Sequence, residues 1–280
     1  MPAVPSLAVA GSTGHLGGQV ASLLAAAGVP QRLLVRDLSR APSLPGADPV
    51  RFSYADGALA ERALDGVDVL FMVSASEAED RLAQHLTFVD AAVRAGVGHI
   101  VYTSFFGAAP DAVFTLARDH WATEEHIRHS GLAATFLRDN FYIDFFPSLV
   151  GTDGVIRGPA GEGAVAAVTR ADVARCAVEI LRNPRDHAGS SYDLTGPGEL
   201  TLAAAARLLS ESTGRPVAYV NETVAEAYAS RAGYGAPPWQ LDAWVSTYAA
   251  IAAGELAGPT TAVRDLTGTE PQSLAGFLRQ

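Results

Sequence analysis

The chain has 280 residues, 30 acidic against 20 basic, a net charge of −10, and is 49% hydrophobic and 18% charged. That length holds one large core or a core with a small lobe, and the negative charge excludes a phosphate-backbone partner such as a nucleic acid. Every basic residue is Arg; without Lys there is no Schiff base, no P-loop lysine and no Tyr-x-x-x-Lys pair.

The first strong pattern is the apolar run 4–10, a buried strand, followed by Gly11-Ser12-Thr13-Gly14-His15-Leu16-Gly17 and a helical segment over 15–27. A G-x-x-G-x-x-G turn between strand and helix predicts a dinucleotide site. It leaves N–H groups at the helix N-terminus where a pyrophosphate can bind. Gly11 serves the tight turn, Gly14 the close approach of phosphate, and Gly17 the packing of helix on sheet. Thr13, His15 and Leu16 complete the cofactor-binding turn.

The second strand, 32–36, leads into Arg36 and Asp37. An acidic residue there binds the ribose 2′-hydroxyl, whereas an arginine suits a 2′-phosphate, so Arg36 favours NADP, with NAD as the alternative. Asp37 argues the other way, and Arg40 reads as a helper or as a solvated side chain. A shorter strand at 50–54 precedes Asp56, which can cap the helix at 58–64. Strand 67–73 ends at Val73, Ser74 and Ala75, whose small side chains line the cofactor path by topology.

A helix at 77–95 and a strand at 98–103 lead to Thr103 and Ser104 at the mouth of the cleft. Ser104 is a candidate to hydrogen-bond a substrate carbonyl, and Phe105 and Phe106 are candidates for an apolar wall. The next helix, 111–130, carries His120, read as a partner of the nicotinamide ribose, as a proton donor, or as structural. His126 and His129 share a helix face but have no third ligand and read as solvated, so no metal is expected. A sixth strand, 132–138, precedes Asn140, Phe141 and Tyr142.

Repeated βα units imply an α/β fold, a Rossmann-type doubly wound parallel sheet with ligand at the carboxyl ends of its strands. After about 140, Pro147 and five glycines between 151 and 163 mark an irregular stretch. A helix at 170–182, a strand at 190–195, a helix at 201–213, a strand at 217–220 and helices at 222–232 and 238–253 follow. This divides the chain into a dinucleotide-binding core, 1–150, and a small, mostly helical C-terminal lobe, 151–280. The lobe covers the substrate and returns the 190–195 strand to the core sheet. Tyr228, Tyr234, Trp239, Trp244 and Tyr248 read as helix packing or as an aromatic substrate surface beside a lid.

The lone Cys176 lies in a helical pattern and permits no internal disulfide, which suits a reducing cytoplasm. No apolar run reaches membrane-spanning length and no signal peptide is evident.

Several segments together resemble the atypical short-chain dehydrogenase/reductases, in particular the NmrA-like proteins and NAD(P)H:quinone oxidoreductases. They are Gly11–Gly17, Val35-Arg36-Asp37, Gly66–Ser74, Gly96–Ser104, His120–Glu125, Ser130-Gly131-Leu132, Thr135–Arg138 and Thr169–Ala174. The resemblance implies that Asp56 accepts from the adenine amino group, that Thr103 and Ser104 lie near the nicotinamide, and that Asn140, Phe141 and Tyr142 sit against its face. It also exposes a departure: aligned through Glu124, the usual Tyr and Lys positions hold Leu116 and His120. Tyr142 is the best replacement donor.

The function expected is reduction of a quinone or polyaromatic carbonyl by NADPH, without the usual Tyr/Lys pair. The alternatives are a non-catalytic NAD(P)-sensing regulator and an aromatic tailoring enzyme with a net non-reductive reaction such as oxygenation. The partner is a small aromatic or quinone substrate, with no nucleic acid and no membrane. The chain is expected to be a cytoplasmic monomer or homodimer.

Overall fold

The computed structural model describes residues 6–280, so the first two residues of the expected 4–10 strand lie outside it. Among the described residues β1 (Leu7–Ala10), α1 (His15–Ala26), β2 (Gln31–Val35), β3 (Ala47–Arg51), α2 (Gly57–Ala63) and β4 (Val69–Met72) alternate. Then come α3 (Arg81–Arg94), β5 (His99–Phe105), α4 (Thr115–His129) and β6 (Ala133–Asp139). Next are β7 (Val155–Gly158), β8 (Ala164–Val165), α5 (Arg170–Arg182), β9 (Ser191–Leu194), β10 (Leu200–Thr201), α6 (Leu202–Thr213) and β11 (Ala218–Asn221). Four helices end the chain: α7 (Val224–Arg231), α8 (Pro238–Ala252), α9 (Ala262–Thr267) and α10 (Leu274–Phe277).

Seven strands form one sheet in the order β3-β2-β1-β4-β5-β6-β9. The pairs β3–β2, β2–β1, β1–β4 and β4–β5 are parallel. Backbone bonds from Phe136 to Ser190 and from Asn140 to Leu194 advance together, so β9 also runs with β6. The order reverses direction beside β1, as in a doubly wound Rossmann sheet. The central strands are apolar on both faces because helices cover both: β1 and β2 are buried throughout. Within the 190–195 segment, β9 forms the far edge of this sheet beside β6.

Two expectations need correction. The third strand occupies 47–51 and not 50–54. It is the sheet edge, where Pro49 and exposed Asp48 are tolerated, so its solvent-facing pattern hid it; the apolar pair behind it, Phe52 and Tyr54, packs on Phe88. The stretch expected to be irregular contains β7, which pairs in parallel with β11, and β8, which pairs antiparallel with β10. Glycines at both ends of such short strands mask the alternation that would reveal them. Two short helices, α9 and α10, follow the last element that the sequence pattern predicts.

The chain forms two compact units. The first runs to Ser104 and adds Asp119–Arg138 and Val173–Tyr192. Its core joins sheet residues such as Leu34, Leu70 and Ile100 to Ala60, Phe88, Val89 and Ile127 of α2, α3 and α4. The second comprises Phe105–Arg118, Asp139–Asp172 and Asp193–Gln280. Its core gathers Ile143, Phe146, Ile156, Val165, Leu202, Leu209, Ala250 and Ile251. No helix among the described residues is long and apolar enough to cross a membrane.

Candidate functional site

In the first unit the glycine turn follows β1. Gly11 has φ +67°, open to glycine at little cost, and its carbonyl accepts from Gly14 N–H at 2.8 Å. A Cβ on Gly17 would lie 2.4 Å from the Gly11 carbonyl oxygen, so only glycine fits. Gly14 begins α1 with no side-chain cap, and the first turn has no acidic residue. The helix dipole and its early N–H groups therefore meet no protein anion. Ser12 is buried and its Oγ has no hydrogen-bond partner. An uncapped helix start, a backbone stripped of Cβ atoms and an orphaned hydroxyl fit a bound pyrophosphate. Thr13 and His15 are exposed at this turn; Leu16 is buried beneath it.

Arg36 and Arg40 are both exposed beyond β2. Asp37 turns into its own loop, where Oδ1 accepts from Ser39 N–H at 2.9 Å and from Ser39 Oγ at 2.7 Å. These bonds hold its pKa below the usual carboxylate value. Asp56 caps α2 by accepting from Leu59 N–H at 2.9 Å.

The loop after β4 is held at four points. Tyr54 donates its hydroxyl to the Val73 carbonyl, and Thr103 Oγ1 accepts from Ser74 N–H at 2.8 Å. His85 Nε2 accepts from Ala75 N–H at 2.8 Å, and Arg81 Nε donates to the Ala75 carbonyl at 3.0 Å. Val73 also packs on Gly11, where an added Cβ would meet it at 3.1 Å.

Behind this loop lies a buried polar chain. Arg81 Nη2 donates to His120 Nε2 at 2.8 Å; a guanidinium can only donate, so the His120 proton sits on Nδ1 and points to the Tyr102 hydroxyl, 2.9 Å away. His85 likewise carries its proton on Nδ1, toward Thr123 Oγ1 at 3.0 Å. Burial and the nearby Arg81 charge push the His85 pKa down to about 2 and that of His120 well below its ordinary value. Both imidazoles are neutral. For His120 to bind ribose or give up a proton, one of these bonds must break. Arg81 is the residue that sequence reasoning missed: at the start of an amphipathic helix a charge reads as solvated, yet Arg81 is buried.

Ser104 donates to Glu124 Oε1 at 2.5 Å. Glu124 is wholly buried and also receives Nε and Nη2 of Arg138 at 2.9 and 2.7 Å, and Nη2 of Arg128 at 2.8 Å. Burial raises its pKa, but the bonds from Arg138 and Ser104 outweigh it, and the net shift is downward. The Ser104 proton is committed to this carboxylate.

The second unit holds the other candidates. Asn140 Nδ2 donates to the Leu256 carbonyl at 3.1 Å while its Oδ1 accepts from Phe141 N–H at 2.7 Å. Phe141 packs tilted against Phe145 and edge-to-face against Phe146, at 5.8 and 5.6 Å between centroids. Tyr142 donates to Asp139 Oδ2 at 2.7 Å, and the Arg170 guanidinium lies 4.9 Å over its ring. Phe105 and Phe106 pack against the core of this unit, with Phe105 4.8 Å from Phe114.

Of the later aromatics, Tyr228 binds Asp242 at 2.7 Å and Tyr248 lies under Arg231, itself paired with Glu222 at 2.9 Å. Tyr248 fills the space a Cβ on Gly158 would need. These contacts are helix packing; Tyr234 alone is largely exposed, at 72%. His126 reaches Asp90 at 2.7 Å, and His129 bonds the Glu125 carbonyl at 2.7 Å. Cys176 is buried in α5.

The NmrA-like family profile matches residues 5–232. The chain is 32% identical to an NAD(P)H azoreductase of Xenophilus azovorans, covering 97% of this chain and 96% of that protein. Among solved structures it superposes on Escherichia coli NADPH-dependent quinone oxidoreductase QOR2 in complex with NADPH, with TM-score 0.88, 31% identity and 98% of each chain covered. It superposes similarly on Citrobacter sp. triphenylmethane reductase in complex with NADP(H), with TM-score 0.87, 30% identity, and 98% of this chain and 99% of that one covered.

Proposed function

Since the chain belongs to the NmrA-like family, we propose that it is an NAD(P)H-dependent oxidoreductase that reduces a quinone or related polyaromatic compound and prefers NADPH. The observation that carries the reading is the glycine turn, cleared of Cβ atoms at Gly17 and left with an orphaned Ser12 hydroxyl. Relatives named for reducing an azo compound, a quinone and a triphenylmethane dye support the substrate class.

Gly11, Thr13, Gly14, His15, Leu16 and Gly17 surround the pyrophosphate, with backbone N–H groups as donors. Arg36 takes the 2′-phosphate, and Asp37, occupied by Ser39, does not oppose it. Asp56, beside its capping bond, faces the adenine. Val73, Ser74 and Thr103 give the cofactor a rigid wall, and His120 orients that wall through Arg81 and Tyr102. When bound, the nicotinamide supplies a hydride; position and orientation provide much of the rate. Asn140 and Phe141 fix the segment that carries Tyr142, and Tyr142 provides the proton. Ser104 keeps Glu124 satisfied.

The test is a titration of Arg36→Ala with both cofactors. Loss of a charge-assisted bond to phosphate weakens NADPH by about 1.5–3 kcal/mol, roughly 10- to 150-fold, and leaves NADH nearly unchanged. Equal losses for both would remove the 2′-phosphate assignment. Oxidation of NADPH with a quinone panel separates the reductase from a regulator that binds the cofactor without turnover.

A further inference from the structure

Resting on the reductase reading above, we infer that Asp139 and Tyr142 form a two-residue proton relay: the phenol protonates the reduced substrate and the carboxyl reprotonates the phenol. Tyr142 is the catalytic residue of the pair and Asp139 a positioning residue that acts through it.

The geometry is compact. Asp139 ends β6, is 3% exposed, and lies 2.7 Å from the Tyr142 hydroxyl through Oδ2. Its Oδ1 is buried without a hydrogen-bond partner. A buried carboxylate in that state is costly, because one oxygen has lost water and gained nothing. A buried carboxylic acid avoids most of the cost. It donates through Oδ2 to the phenol oxygen and leaves the phenol hydrogen for another acceptor. Burial raises the Asp139 pKa to about 8, opposed only by the bond to Tyr142.

Asp144 and Arg170 are the further charged groups that act on Tyr142 among the described residues. They are 3.7 Å apart, and Arg170 spans the rings of Tyr142 and Phe145 at 4.9 and 4.4 Å. Burial first, and then the neighbouring Asp139, push the Tyr142 pKa well above its ordinary value and keep it a neutral phenol; the Arg170 charge opposes that rise while a proton is in transit. Phe145, 40% exposed, lies 6.0 Å from the Tyr142 ring and 5.8 Å from that of Phe141, between centroids.

The proton balance closes. A quinone that takes up a hydride becomes a hydroquinone monoanion and needs one proton. The Tyr142 O–H bond breaks toward that oxyanion as the Asp139 O–H bond breaks toward the phenol oxygen. The product leaves as neutral hydroquinone, Tyr142 ends as a phenol and Asp139 as a carboxylate, and solvent returns the proton. The other two candidate donors are engaged: His120 is neutral and bonded at both ring nitrogens, and Ser104 donates to Glu124.

The experiment compares wild type, Asp139→Asn and Tyr142→Phe with 1,4-naphthoquinone and NADPH. Asparagine keeps the size and an acceptor but cannot ionise. Wild-type turnover falls as pH rises through about 8 and shows a solvent deuterium isotope effect. Asp139→Asn loses the fall near pH 8 and turns over on the order of 10²-fold more slowly, with NADPH binding retained; Tyr142→Phe slows by a similar factor. Independently of turnover, ¹³C NMR of the aspartate carboxyls shows one group titrating near pH 8 that is missing from Asp139→Asn. If wild type is active but its Asp139 carboxyl titrates near 4, or Asp139→Asn keeps the wild-type pH profile and rate, the relay is wrong and the reductase reading stands. If wild type oxidises no NADPH with any quinone, the reductase reading fails and the relay falls with it.

Discussion

Glu124 in the first unit and Asp139 in the second are both carboxyls shut away from water, yet they titrate in opposite directions. Glu124 receives two nitrogens of Arg138, one of Arg128 and the Ser104 hydroxyl, and stays ionised. Asp139 receives one phenol and leaves an oxygen unmatched, so burial wins and holds the proton on. The difference teaches that burial alone does not set a carboxyl's charge; the count and charge of its donors do. The well-furnished carboxylate is structural cement. The poorly furnished one is the group with a proton to give.

Glu124→Ala is the strongest way to break this comparison. It leaves the Arg138 and Arg128 guanidiniums facing an emptied site and should destabilise the fold by about 3 kcal/mol in urea denaturation. A loss below about 1 kcal/mol would mean that water already serves both cations.

Asp139→Asn sharpens the comparison from the other side. A carboxyl whose folded pKa is raised contributes most below its unfolded pKa near 4, and loses that contribution as pH rises to the folded value near 8. Wild type should therefore weaken between pH 4 and 8 relative to Asp139→Asn. At pH 6.5 the variant should gain about 2 kcal/mol on wild type compared with pH 5, read from melting curves at both pH values. A constant difference across that range would place the Asp139 pKa near its ordinary value.

The smallest effect belongs to Ser104→Ala. It removes one neutral donor from a carboxylate that keeps its arginines, at a cost of about 1 kcal/mol in the same denaturation experiment. A tenfold fall in turnover with unchanged stability would instead make Ser104 a substrate ligand.

These carboxyls also mark where the sequence stops being legible. The Rossmann core was readable because strands buried on both faces are continuously apolar and the glycine turn has a fixed place between strand and helix. Arg36, Asp56, Val73 and Thr103 could be located by counting from those strands. Arg81, Glu124 and Asp139 could not be valued that way. A charged letter in an amphipathic helix or at a strand end reads as solvent-facing, and nothing local reports that a distant carbonyl, imidazole or guanidinium will meet it. Glu124 and Asp139 sit within a helix and at a strand end whose local pattern is the same whether the carboxyl faces water or the core. The β7–β11 pair was hidden for a related reason: its partners are some sixty residues apart.

The four attachments of the loop after β4 have a thermodynamic consequence. Tyr54, His85, Arg81 and Thr103 fix Val73, Ser74 and Ala75 before any ligand arrives. Ordering three backbone residues costs about 1–2 kcal/mol each, and here that cost falls on folding. A molecule that docks against the loop has only its own freedom to lose, so the stiffness of this segment converts fold stability into affinity.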